Sequence, residues 1–203
     1  LGVKVEELVA ADGEIRTRQR PRKSIAIPEL AKNLTSESGP IVGQGSLTDL
    51  PMAPVLAAQV AEVKVDPDTG EVEVLRITSA QNVGVAINPA TVEGQIEGAV
   101  VQSVGFGLSE GFEYSEAPEG HLLNPSFLDY RIPTSVDAPE ITSVLVEDAA
   151  EFGPFGARGA GEPAVVPTAP AIANAIEDAV GARVKDLPIT PDKIVKALRE
   201  RLT

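Results

Sequence analysis

The chain contains no cysteine and no tryptophan, and His121 is its single histidine. The absence of cysteine excludes disulfides, cysteine-ligated zinc and iron–sulfur clusters held by this chain itself. A single histidine also leaves too few ligands for a histidine-rich metal site, and it nearly excludes a Ser-His-Asp triad within the chain. We therefore predict no metal ligands among these side chains.

Positive charge and long apolar runs are also scarce. The 17 Lys and Arg residues face 30 Asp and Glu residues, so the net charge is −13. This balance argues against nucleic acid and against anionic membrane surfaces, because both bind through Lys and Arg. No apolar run approaches the ~20 residues of a membrane span. The sequence therefore predicts neither a nucleic-acid partner nor a membrane span, and the acidity favours solubility.

The 203 residues suffice for one or two small domains, and the core must consist mainly of aliphatic side chains because aromatics make up only 3%. We predict a leading α/β segment over residues 1–38, which completes a partner or neighbouring lobe, and a main domain over residues 39–203. Residues 38–52 are rich in Gly, Ser and Pro and are typical of a loop or linker.

Hydrophobic patterns predict an α+β fold of mixed or antiparallel sheet segments with packed helices. Alternating residues around Asp66-Pro67-Asp68-Thr69-Gly70 predict one β-hairpin, and Asp12-Gly13 predicts another. Further strands are predicted over residues 109–123 and 141–146, and helices from Asn88-Pro89, over residues 170–180 and from Thr190-Pro191. Four glycines in the first of these helices predict close approach of another backbone or a ligand: Gly94, Gly98, Gly105 and Gly107.

The run over residues 154–163 is the strongest candidate for a binding loop. It has three glycines in six residues, so its backbone amides can approach a neighbour without a Cβ in the way. Glu162 closes the run, and Pro163 biases it toward an extended backbone. Such a loop before a helix can hold an anionic ligand and set one base against it. The alternative is a surface turn whose carboxylate faces water.

Gln95 is the second candidate, because it lies on a predicted helix between Gly94 and Gly98. Its carboxamide can both donate and accept hydrogen bonds to a ligand. An ordinary exposed glutamine is the alternative.

Six motifs in one order resemble the C-terminal part of the molybdenum-binding subunit of the xanthine dehydrogenase, aldehyde oxidoreductase and aerobic carbon monoxide dehydrogenase family. The resemblance covers residues 40–200 well and the first 38 more loosely. The motifs lie at residues 58–70, 87–89, 92–98, 122–126, 129–134 and 155–163.

The resemblance implies a molybdopterin cofactor with molybdenum, in which the cytosine dinucleotide form is one option, and oxidative hydroxylation of an N-heterocycle or aldehyde in the cytoplasm. The family's catalytic Glu falls on Glu162, which would take a proton from the hydroxyl on molybdenum, and partial burial would suit it to that role. The family's cofactor-binding Gln falls on Gln95. The cofactor would also contact the loop residues Ala157, Arg158, Gly159, Ala160 and Gly161.

The family also implies partners: a larger molybdenum-binding subunit with the missing half of the site, an iron–sulfur subunit with 2Fe-2S clusters, and an FAD subunit. The chain departs from the family at Asn82, where Asp is usual, and at Arg158, where Lys is common. The upstream half of the site lies outside this sequence. The chain is thus a separately encoded small subunit or a fragment, and the complete C-terminal pattern favours the former.

Two other functions stay open. One is a non-catalytic assembly scaffold with the same fold, although a scaffold has no need of an acid beside three glycines. The other is an independent ligand-binding module, which a stable isolated monomer would favour.

Overall fold

The computed structural model of the chain describes residues 1–19, 22–37, 39, 42–46, 48, 53–116 and 120–201, with backbone only for 35–37. The chain divides into two compact units, Leu1–Asp49 and Leu50–Thr203. The predicted division after residue 38 stays a prediction, and the predicted linker over residues 38–52 lies in large part outside the described residues.

The first unit is a small antiparallel sheet followed by a helix. A 3₁₀ turn over Val5–Glu7 leads into β1 (Leu8–Ala11), β2 (Glu14–Thr17), β3 (Ser24–Ala26) and α1 (Ile27–Glu37). Asp12 and Gly13 both have positive φ (53° and 75°), as a tight two-residue hairpin turn requires. The hairpin predicted at Asp12-Gly13 is confirmed.

The second unit packs helices on one three-stranded sheet. Strand β4 (Ala57–Val65) pairs antiparallel with β5 (Val72–Gly84), and β6 (Glu140–Glu147) pairs with β5 in parallel. The helices are α2 (Pro89–Leu108), α3 (Val165–Val180) and α4 (Pro191–Arg201). The predicted mixed-sheet α+β class is confirmed. The hairpin around residues 66–70, the strand over 141–146 and the helix starts at Pro89 and Pro191 are confirmed as well.

An aliphatic core lies between the sheet and the helices. Its fully buried members come from β5, α2, α3, α4 and the segment before α4: Ile77, Ile96, Val100, Ile172, Ile176, Ile189 and Ile194. The inner face of the sheet supplies alternate residues of each strand to this core, which is why β4 and β6 alternate in burial along their length. No helix in the described part of the chain is long and apolar enough to cross a membrane.

Two predicted elements are wrong. Residues 109–123, as far as the structure describes them, form no strand and show only an isolated bridge between Tyr114 and Leu122. Helix α3 begins at Val165 rather than Pro170. Pro167 falls in the first turn, where backbone N–H groups have no acceptor within the helix, so its missing N–H costs nothing there. Pro170 lies inside the helix, where it supplies no backbone N–H to the carbonyl oxygen one turn earlier.

Two of the four glycines in α2 meet close neighbours, but at Gly105 these are side chains rather than the predicted backbone or ligand. A Cβ on Gly105 would collide with the side chains of Glu110 and Pro133, and one on Gly107 would touch Ala169 at 3.6 Å. In the described part of the chain, nothing lies within 4 Å of a Cβ built on Gly94 or Gly98. These two glycines are exposed on the first half of the helix, the half that carries Gln95.

Candidate functional site

The candidate loop is attached to the carboxyl end of β5. Arg158 donates its backbone N–H to the carbonyl oxygen of Val83 at 2.9 Å, and Val85 donates to that of Gly156 at 3.0 Å. Gly84 lies between these bonds with a φ of 66°, and a Cβ there would stand 2.2 Å from the Gly156 oxygen. Only glycine fits this position. We call residues 156–158 the anchor segment.

The side chain of Arg158 strengthens this attachment. Its guanidinium donates to the carbonyl oxygen of Pro54 at 2.7 Å and lies 3.5 Å from the carboxylate of Asp148. The side chain is only 12% exposed. The structure therefore places the Arg158 charge against the protein, where it holds the loop to the segment before β4 and the segment after β6. Ala157, also half-buried, forms a β-bridge with Gly84.

Residues 159–162, which we call the cradle segment, are bonded differently. Among the described residues, no acceptor receives the backbone N–H groups of Gly159, Ala160, Gly161 or Glu162. The carbonyl oxygens of Gly159 and Ala160, in contrast, accept hydrogen bonds from Nε2 of Gln81 at 3.4 and 3.1 Å. The cradle segment is thus held by its carbonyl groups and keeps successive N–H donors free, which is the usual form of a backbone anion site.

Gln81 is a functional candidate that sequence reasoning missed. It is 1% exposed and lies on β5, on the same inward parity as Ile77 and Ser79. A polar residue at an inward position of a strand was the available signal, but the alternating pattern that follows the turn at residues 66–70 and predicts the second strand of that hairpin runs only to Thr78. Strand β5 continues to Gly84.

A second glutamine, which is half-buried, fixes the start of α3. Gln59 on β4 donates to the carbonyl oxygen of Ala164 at 2.9 Å and accepts from the hydroxyl of Thr168 at 2.7 Å. Ser103 on α2 donates to the carbonyl oxygen of Val165 at 2.9 Å. These bonds set the first turn of α3 on the sheet, and Val165 N–H closes that turn on the carbonyl of Glu162 at 3.0 Å.

Glu162 therefore stands three residues before the first residue of a 16-residue helix. Its side chain is exposed, so the expected partial burial is wrong for the chain as described. No ion pair or hydrogen bond within the described residues occupies its carboxylate. The free N–H groups of the cradle segment beside it suit an anionic ligand. The carboxylate is free to accept a proton from a bound molecule.

The structure brings Gln95 to the cradle segment. Asn88 caps α2 by accepting the N–H of Thr91 at 3.3 Å, and Gln95 follows in the second turn with its side chain exposed. A Cβ built on Gly161 would stand 3.4 Å from Oε1 of Gln95. Two residues chosen independently from the sequence are therefore neighbours, and a side chain at position 161 would reach into the space beside Gln95.

Together these groups offer a ligand free N–H donors, one carboxamide beside Gly161 and one carboxylate on the residue that follows Gly161. The donors suit the oxygen atoms of a phosphate or a pterin, and Glu162 suits proton transfer. Ala157 and Arg158 contribute differently, because their hydrogen bonds stay within the protein. The predicted site residues thus fall into two groups. The anchor segment holds the loop to the sheet, whereas the cradle segment and Gln95 are free to bind a ligand.

Comparison with known proteins gives one family. A molybdopterin cofactor-binding domain matches residues 1–139. The gamma subunit of the 6-hydroxypseudooxynicotine dehydrogenase complex of Paenarthrobacter nicotinovorans is 40% identical over 136 residues, which are 66% of this chain and 17% of that protein. A putative xanthine dehydrogenase molybdenum-binding subunit of Escherichia coli K12 is 29% identical over 191 residues, which are 92% of this chain and 25% of that subunit.

The fold matches solved structures in the same way. Quinoline 2-oxidoreductase of Pseudomonas putida 86 aligns with a TM-score of 0.76 at 28% identity, over 96% of this chain and 26% of that one. The chain therefore spans about a quarter or less of the length of these relatives. The family match ends at residue 139, before the anchor and cradle segments.

Proposed function

We propose a function from one premise: the chain belongs to the molybdopterin cofactor-binding domains of the molybdenum hydroxylase family. In this proposal the chain supplies one wall of a molybdopterin site and the catalytic base of a larger enzyme. That enzyme oxidatively hydroxylates a small N-heterocycle or an aldehyde. The observation that carries the proposal is the approach of Gln95 on α2 to Gly161, the residue before Glu162.

The residues present fit such a cofactor. Molybdopterin carries a phosphate and a pterin rich in hydrogen-bonding groups, and the cradle segment presents N–H donors with no protein acceptor among the described residues. Gly159 and Gly161 leave the approach to these donors open, because they lack a Cβ. Gln95 adds a donor and an acceptor beside Gly161. We assign cofactor contacts to Gln95 and to the backbone of the cradle segment.

When bound, the molybdenum cofactor supplies the oxidising centre and the oxygen that reaches the substrate. Glu162 then acts as the general base, because its carboxylate is unpaired in the described chain and can take up the proton released in that step. The anchor segment keeps Glu162 in register with the sheet through Val83, Val85 and Pro54. The exposure of Glu162 in this chain means that the rest of the enzyme must close the site against water.

We assign the remaining cofactors and partners from the family resemblance. This chain has no cysteine with which to ligate 2Fe-2S clusters, so we place these clusters on an iron–sulfur subunit, and by the same resemblance we place FAD on a further subunit. Aromatic side chains are strongly exposed outside the core: Phe127 at 81% and Phe155 at 86%. We propose that the rest of the molybdenum-binding subunit covers such surfaces, since interfaces are enriched in aromatic residues. A cytoplasmic location and the cytosine dinucleotide form of the pterin belong to the same proposal.

The alternative of a non-catalytic scaffold is less well supported. A scaffold would be expected to pair the N–H groups of its loop within the protein, as the anchor segment does at Ala157 and Arg158. The cradle segment, Gln95 and Glu162 instead leave N–H donors and side-chain groups unpaired within the described chain.

The test is Glu162→Gln in the complete enzyme that contains this chain. Glutamine keeps the shape but cannot accept the proton, so we expect normal molybdenum content and a turnover reduced by about 10²–10⁴-fold. Glu71→Gln, at an exposed carboxylate beside the β4–β5 turn, is the matched control and should leave turnover unchanged. A fully metallated Glu162→Gln enzyme with more than about a third of the parent rate would remove Glu162 from the base role.

A further inference from the structure

We infer that Gln81 is a positioning residue that aims the N–H groups of Ala160 and Gly161 out of the protein toward the ligand. This inference rests on the proposed cofactor site. Gln81 lies beneath the cradle segment, is 1% exposed, and donates to the carbonyl oxygens of both Gly159 and Ala160.

The geometry of the peptide bond gives the reason. In a trans peptide the C=O and the following N–H point in opposite directions, because the group is planar. The carbonyl of Gly159 shares its peptide unit with the N–H of Ala160, and the carbonyl of Ala160 shares its unit with the N–H of Gly161. When Gln81 draws both carbonyls toward the sheet, it turns both N–H groups away from the sheet.

The chain offers few other constraints on this orientation. Among the described residues, a Cβ built on Gly159 would meet nothing within 4 Å, and one built on Gly161 would meet only Oε1 of Gln95. Glycine peptides rotate easily, so without the Gln81 donor the two units have no fixed direction. Residues 157 and 158 differ, because the β-bridge and the Val83 bond fix their direction through the backbone itself.

The unusual environment of Gln81 supports a dedicated role. Its Oε1 is buried and has no hydrogen-bond partner among the described residues. A buried acceptor without a partner is costly, and an apolar residue would avoid that cost at an inward strand position. Only the Nε2 group of the side chain has partners, and both partners belong to the cradle segment.

The first experiment compares Gln81→Met with Ile176→Val in the complete enzyme. Met keeps the length and buried volume of Gln but lacks the donor, whereas Ile176→Val loosens the core of α3 without touching the loop. After prolonged gel filtration, we expect the molybdenum content of Gln81→Met to be at least about fivefold lower than that of the parent, because the N–H groups that bond the cofactor lose their preset direction. Ile176→Val should retain as much as the parent.

The second experiment uses Gln81→Glu, which exchanges the donor for a group that donates only when protonated. Burial beside two carbonyl oxygens favours the protonated carboxyl, and lowering the pH populates it further. The turnover of this variant, divided by that of the parent at the same pH, should be at least about threefold higher near pH 6 than near pH 9. The same ratio for Gln81→Met should not change with pH.

Equal molybdenum retention in Gln81→Met and the parent, or a flat ratio for Gln81→Glu, would overturn the inference while leaving the Glu162 assignment intact. A parent enzyme that contains no molybdenum would overturn both, and metal analysis of the parent separates that failure from the first. A loss of molybdenum in Ile176→Val as large as that in Gln81→Met would also overturn it, since general destabilisation would then explain both.

Discussion

The anchor and cradle segments are three and four residues long, adjacent in sequence and rich in glycine, yet they behave in opposite ways. The anchor segment bonds the N–H groups of Ala157 and Arg158, the carbonyl of Gly156 and the Arg158 side chain within the protein. The cradle segment directs only carbonyls inward and leaves its N–H groups without a partner among the described residues. Glycine content alone therefore does not identify a binding loop. What identifies such a loop is whether each backbone N–H group is bonded within the protein or left without an acceptor.

Among the variants that test the difference between the two segments, we predict the largest loss of stability for Gly84→Ala. The new Cβ would stand 2.2 Å from the Gly156 oxygen at a residue with φ of 66°, so the anchor segment would have to leave the sheet. We expect a loss of unfolding free energy of about 4 kcal/mol or more, or failure to fold. Denaturant unfolding measures it.

Gly159→Ala is the matched change in the cradle segment. A Cβ there meets nothing within 4 Å in the described chain, so the unfolding free energy should change by less than about 1 kcal/mol. If Gly159→Ala destabilises the protein as much as Gly84→Ala, the two segments do not differ as described.

Removal of the Arg158 guanidinium should weaken the anchor segment next most strongly. Arg158→Met keeps much of the buried stem but leaves the Pro54 carbonyl without its donor, so we expect a loss of about 2 kcal/mol. Thermal unfolding is the measurement. A loss of cofactor without any loss of stability would instead indicate that Arg158 belongs with the cradle segment.

Gln95→Ala should act in the opposite way to Arg158→Met, because it should weaken cofactor binding and leave stability almost unchanged. The side chain is exposed and alanine is a good helix residue, so the unfolding free energy should stay within about 0.5 kcal/mol. Molybdenum occupancy should fall at least about threefold, since one hydrogen bond to the cofactor is lost. Full occupancy and unchanged activity would contradict the assignment of Gln95.

A small effect on stability alone is expected from Thr168→Val. The hydroxyl bonds Gln59 and the Ala164 carbonyl at the start of α3, so its loss should cost about 1 kcal/mol. Molybdenum content should not change, because these bonds support the helix rather than the cradle segment. Metal analysis beside thermal unfolding separates the two effects.

Local signals in the sequence predicted much of this architecture. The Asp12-Gly13 turn, the alternation around residues 66–70 and the Asn88-Pro89 cap each determine a local conformation, and each prediction is confirmed. Gln95 and Glu162 were also chosen from sequence, and the fold brings Gln95 next to Gly161. Their functional roles stay predictions.

The sequence failed where contacts between distant segments decide the structure. The inward role of Gln81 depends on a β5 strand that continues to Gly84 because β6 pairs with it in parallel, and no local pattern reports that pairing. The early start of α3 depends on Gln59 and Ser103, which come from β4 and α2. The difference between the anchor and cradle segments likewise arises from long-range bonds to Val83 and Gln81.

Amide hydrogen exchange in the complete enzyme, with and without the molybdenum cofactor, tests the central claim most directly. The account predicts that the N–H groups of residues 159–162 exchange rapidly without cofactor and become protected with it. Those of Val85 and Arg158, which are bonded within the protein, should be protected in both states. Equal exchange of residues 159–162 in the two states would contradict the claim that these N–H groups bind the cofactor.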